Sequence, residues 1–125
     1  MIRGTLILES LREDATLSGF RMMVHEVGRG RPKLSPQQVA AGIPKVWSTI
    51  EFELEDARAA ELADALSKLL GPIGWYVNFS SQAETYIIYP GRVFRYPRRE
   101  PRGRAEAQAY GRKLGIPDHQ LDWSE

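Results

Sequence analysis

The sequence of 125 residues contains no cysteine. That rules out a disulfide framework, a thiolate metal site and a cysteine nucleophile, and it permits a reducing compartment. Long apolar runs are missing too. The run Thr5-Leu6-Ile7-Leu8 is too short for the hydrophobic part of a signal peptide and is followed by Glu9, Arg12, Glu13 and Asp14. No later stretch is long enough to cross a bilayer, so the chain reads as cytoplasmic with no membrane partner. Histidine occurs only as His25 and His119. There is no H-E-x-x-H, "GRGR" at 28–31 lacks the G-K-[ST] of a phosphate loop, and Ser80-Ser81 lacks the flanking glycines of a nucleophile elbow. No enzyme signature is visible and no cofactor or metal is expected.

What is present is the make-up of one ordinary soluble domain spanning 1–125, with 42% hydrophobic and 26% charged residues. The net charge of +1 conceals an uneven spread, because residues 92–113 hold eight Arg or Lys against Glu100 and Glu106. Such asymmetry points to an anionic partner or to a solvated arginine-rich loop.

Residues 46–54 alternate Val46, Ser48, Ile50, Phe52 and Leu54 with Trp47, Thr49, Glu51 and Glu53, which predicts a half-buried strand. A helix follows from Asp56, taken as its N-cap, through Leu62, Leu66 and Leu69, with Asp64 four residues before Lys68. Gly71 and Pro72 end it. Residues 2–9 and 19–27 read as a β-hairpin, and 75–79, 85–89 and 92–96 as a three-stranded meander. A second helix is predicted over 104–114, before Gly115 and Pro117. Between the first strands and the central one, 28–45 reads as a long basic loop. Within it Ser35, Pro36 and Gln38 fit the N-cap, N1 and N3 positions of a short helix.

This order predicts an α+β fold, a single mainly antiparallel sheet of about six strands with the two main helices packed on one face. If Tyr86 and Ile88 point away from those helices, strand parity gathers them with Trp47 and Tyr76 on a second, apolar face. Either the C-terminal tail with Leu121 and Trp123 covers that face or a second copy of the chain does, and a homodimer is expected.

Two basic segments suggest nucleic acid. The "RGRP" at 29–32 resembles the AT-hook, a short motif laid along the minor groove. There Arg29 and Arg31, with Lys33 beside them, would meet the concentrated negative potential. The stretch 92–104 interleaves Phe94 and Tyr96 with Arg95, Arg98, Arg99, Arg102 and Arg104, as single-strand binders mix stacking rings with phosphate contacts. Catalytic candidates are few: His25, and Glu51 with Glu53 on one strand face, which could hold a hard cation. A plain turn, a solvated loop and a solvated strand face account for the same residues.

From "GWYVNF" through "VFRYP" to "YGRKLGIPDHQLDW" the chain resembles a set of small bacterial proteins with a W-Y-V-[DN]-F, V-F-R-Y-P and L-G-I-P-x-x-Q-L-D-W pattern. The resemblance implies a stand-alone bacterial domain and carries no activity, ligand or catalytic residue with it. The reading that results is a small non-enzymatic binding or protein-interaction domain that self-associates. A nucleic-acid binder using 29–33 and 92–104 stands second and an enzyme built on His25, Glu51 or Glu53 third.

Overall fold

The alternating segment around Phe52 becomes an inner strand of the sheet. The computed structural model describes residues 1–72 and 74–125. Strands β1 (Ile2–Ile7), β2 (Met23–Gly30), β3 (Trp47–Leu54), β4 (Val77–Ser80), β5 (Glu84–Tyr89) and β6 (Arg92–Pro97) form one sheet in the order β2-β3-β1-β4-β5-β6. All neighbours run antiparallel. Three α-helices join them: α1 (Pro36–Ala40), α2 (Ala59–Leu69) and α3 (Pro101–Lys113). The expected α+β class and six strands are present.

Several local expectations hold for the reasons given. Ser35 and Gln38 make a reciprocal capping box at the start of α1, and Gly42, at φ +84°, ends it in the left-handed conformation that glycine adopts freely. The Lys68 ammonium lies 3.0 Å from Asp64. Asp56 is no cap, however; it opens a 3₁₀ turn, and neither Glu55 nor Arg58 makes a side-chain cap bond. The basic loop also begins later than its composition implies, since 28–30 belong to β2 and pair with Trp47, Ser48 and Thr49.

The pairing of the first strands differs from the predicted hairpin. β1 and β2 both pair with β3, which lies between them. The connection therefore has an apolar task of its own, with Leu11, Leu17, Phe20 and Met22 packing against the core over α2's face. A polar composition hid those anchors.

Helix placement differs as well. Leu62, Ala63 and Leu66 of α2 pack on Phe52, Leu54, Phe79, Tyr86 and Ile88, while Ala107 of α3 packs on Ile87, Tyr89 and Tyr96. The helices thus lie on opposite faces of the sheet. Tyr86 and Ile88 point toward α2, and the face carrying Trp47 and Tyr76 is the other one. The physical reason is that β5 is buried on both sides from Thr85 to Tyr89, so its run Tyr-Ile-Ile-Tyr has no polar position to set the phase. The tail does cover part of the second face, with Leu121 and Trp123 both buried there.

Helix α3 begins three residues before the predicted start. The Glu100 side chain accepts from the Arg102 and Gly103 N–H groups, and Pro101 follows at the first helical position. The helix lies close against the sheet because Gly103, Ala107 and Gly111 recur every four residues along one face. A Cβ at Gly103 would come within 2.4 Å of Tyr96 Cβ, and one at Gly111 within 2.7 Å of Tyr89 Oη. That hydroxyl in turn donates to the Ala107 carbonyl at 2.7 Å.

An exposed helical glycine gains about 1 kcal/mol on replacement by alanine. Here Gly103→Ala is expected to lose about 1–2 kcal/mol net, because overpacking against Tyr96 outweighs propensity. Urea unfolding measures it, and a raised midpoint would contradict the close seating of α3.

Candidate binding site on the open half of the sheet

On the face shared with α3, the helix and tail cover β5, β6 and part of β4. The outward positions of β1, β3 and the rest of β4 remain open. In a strand these are alternate residues, and the register places Arg3, Thr5, Glu51, Thr49, Asn78 and Ser80 together.

Two cavities run along this surface beside the tail and share Thr5 and Asn78. The first, of about 540 Å³, is walled by Arg3, Glu51, Ser80, Arg98 and the tail from Asp122 to Glu125. The second, of about 230 Å³, is walled by Ile7, Trp47, Trp75, Tyr76 and Gln120. Together they form a trough, polar and charged at one end and aromatic at the other.

The aromatic end is built by packing. The Trp47 and Trp75 rings are 5.2 Å apart at 59°, and Trp47 Nε1 donates to the Pro44 carbonyl at 2.8 Å. Tyr76 donates its hydroxyl to the Gln120 carbonyl and packs against Trp123. Burial pushes the Tyr76 pKa up to about 12, so the group stays protonated and keeps that bond.

At the other end the tail is clasped by a carboxylate. The Glu125 side chain, 6% exposed, sits 2.8 Å from Arg104 Nη1 and accepts from the Arg99 N–H at 3.3 Å. Burial opposes its ionisation, but the bonds from Thr85, Arg104, Arg99 and Tyr96 together outweigh burial and hold the pKa below the ordinary 4.5. Beside it, Arg98 donates from Nη1 toward the Ser81 carbonyl at 3.4 Å. Its buried Nε finds no hydrogen-bond partner among the described residues. A buried guanidinium N–H without an acceptor is costly.

Across the trough, Arg3 pairs with Glu51 and lies 3.8 Å from Glu53. His25 Nε2 is 2.8 Å from the same Glu53 oxygen. The three catalytic candidates are therefore united through Arg3 in one chain of polar contacts. A β-bulge between Val24 and Glu26 interrupts the β2–β3 register at His25.

The arginines expected to meet nucleic acid are dispersed and mostly engaged. Arg29 donates to Ser48 at 3.1 Å, next to Glu9, which takes the Ser48 N–H and hydroxyl. Arg95 makes two bonds of 2.6 Å to Glu84 and covers Tyr86. Arg104 serves Glu125 and stacks on Trp123, and Arg102 lies 3.7 Å from Glu106. Arg31, Lys33 and the side chain of Arg99 make no ion pair among the described residues. The "RGRP" backbone is hydrogen-bonded to β3 as far as Gly30, a pairing that a segment laid along a groove floor would lose. Of the proposed interface residues, Tyr86 and Ile88 are enclosed by α2 and offer no surface. Trp47 and Tyr76 line the trough.

Sequence reading missed Arg3, Thr5, Asn78, Trp75 and Glu125. Polar residues at alternate positions of two short strands were the available signal, but it has meaning only once β1 is known to lie beside β4.

Because its folded pKa is lowered, Glu125 stabilises the fold above the unfolded carboxylate value, and that contribution disappears as pH falls through the lower folded value. Glu125→Gln is expected to cost about 1–3 kcal/mol at neutral pH and to flatten the stability loss between about pH 5 and 3, as followed by urea unfolding across that range. No family model matches the chain, and no curated protein or solved structure gives a significant match to it.

Proposed function

We propose that this protein is a small binding domain, without catalysis of its own, that holds an extended ligand ending in a carboxylate along the open half of its sheet. The observation that carries the reading is the trough itself. It joins an aromatic end at Trp47 and Trp75 to a charged end where Arg3 and Arg98 stand beside Glu51, Asp122 and Glu125. Tyr76 and Ser80, near its two ends, are four residues apart, or about 13 Å along an extended chain. A peptide of about four residues has that length. Its first side chain would rest on the indoles, its backbone would meet Thr5 and Asn78, and its carboxylate would accept from Arg98. The setting that the C-terminal motifs imply is a stand-alone bacterial domain.

A nucleic-acid surface would need free guanidinium groups, and Arg29, Arg95, Arg102 and Arg104 have acceptors within the chain. Of the chain of contacts through His25, Glu53, Arg3 and Glu51, Arg3 and Glu51 form a wall of the trough.

The test uses two acetylated tetrapeptides, leucine followed by three alanines, one with a free C-terminal acid and one amidated. Tryptophan fluorescence reports on Trp47, Trp75 and Trp123, which all line the trough. The acid is expected to bind saturably and the amide at least tenfold more weakly, about the worth of one charge-assisted bond, with Arg98→Met abolishing the difference. Equal binding of acid and amide, or no response from either at about 1 mM, would overturn the proposal.

A further inference from the structure

The charged end of the trough holds groups of both signs, and they are unequally engaged. Glu125 is occupied in holding the tail, buried against Arg104 and the Arg99 N–H. Arg3 is occupied along the opposite wall. Both its hydrogen bonds fall on one Glu51 oxygen, Oε1, and its third nitrogen lies 3.8 Å from Glu53. Three groups are left with capacity to spare. The Arg98 guanidinium makes one hydrogen bond among the described residues, to the Ser81 carbonyl. The Asp122 side chain is 87% exposed and 3.7 Å from Arg104, which is already bound to Glu125. Glu51 keeps Oε2, which receives no hydrogen bond among the described residues.

We infer that the last residue of the ligand is basic, a lysine or arginine whose carboxylate accepts from Arg98 while its side-chain cation lies between Glu51 Oε2 and Asp122. The inference rests on the trough reading and names the class of ligand, a peptide ending in a basic residue. Charge argues for it. Three carboxylates and two guanidinium groups wall the cavity, so a lone ligand carboxylate would enter a site that already has an excess of its own sign. An end carrying both signs adds no net charge and gives each sign a partner. Size agrees. The cavity of about 540 Å³ is large enough for a whole small ligand, and an alanine end would leave most of it to water. Because this end of the trough stays open to solvent, the ligand's charges are not fully stripped of water. The desolvation cost that defeats many buried pairs is therefore small, and so is the gain.

Four acetylated peptides with free C-terminal acids test it, each a leucine and two alanines followed by lysine, norleucine, alanine or glutamate, titrated by tryptophan fluorescence. Norleucine matches the length of lysine without its charge. The lysine peptide is expected to bind about fivefold more tightly than the norleucine one, the upper range for an ion pair still in contact with water, and the glutamate peptide most weakly. Asp122→Asn, at an exposed position where circular dichroism should show the fold retained, is expected to bring lysine within about twofold of norleucine and to leave the norleucine affinity unchanged. Raising the salt from about 0.02 to 0.5 M should shrink the same difference. Equal binding of the lysine and norleucine peptides, a preference for glutamate, or a lysine gain that survives Asp122→Asn would overturn this inference while the trough reading stands. Binding by none of the four would overturn both.

Discussion

A helix can settle low on a sheet only where the side chains between them are nearly absent. Along α3 that condition is met by Gly103, Ala107 and Gly111, and much of one side of the molecule depends on it. The low seat brings the helix backbone within reach of the Tyr89 hydroxyl. It also leaves room for the tail to pass between helix and sheet margin, with Leu121 against Gly111 and Trp123 against Tyr96. Two glycines are unfavourable in a helix taken alone. They persist here because burial of large aromatic groups beside them returns more than propensity loses.

The same seating determines where the molecule stays open. Helix and tail are broad enough to cover β5, β6 and part of β4, and the remaining strands on that face present Arg3, Thr5, Asn78 and Glu51 to solvent. The trough is therefore the margin of an incomplete cover, with a wall of tail residues fixed by the Glu125 carboxylate. Charges follow a related pattern. Several arginines that look concentrated in sequence are held by separate acceptors, Arg95 by Glu84, Arg104 by Glu125 and Arg112 by Asp118.

Much of the architecture was legible because local chemistry and tertiary outcome agreed. Alternation around Phe52 marked β3, helical spacing marked α2, and the Ser35 capping box marked α1. What escaped were features whose meaning depends on distant partners. The β5 run is apolar at every position and carries no phase. β1 and β2 look like a hairpin until β3 inserts between them. The glycines of α3 read as helix-weakening punctuation when they are spacers. The trough residues were legible only as scattered polar positions, since nothing local announces that Arg3 will lie beside Ser80.

The position of β1 carries a consequence for how the fold is reached. β2 with β3, and β4 with β5 and β6, are each made from segments not far apart in the chain, whereas β1 must find β3 more than forty residues away and β4 more than seventy. Closing such long loops is entropically slow and is rewarded only when both neighbours are already formed. The two blocks are therefore expected to join late, along the middle of the sheet. The trough lies across that seam, so its walls are complete only once β1 has paired with both neighbours.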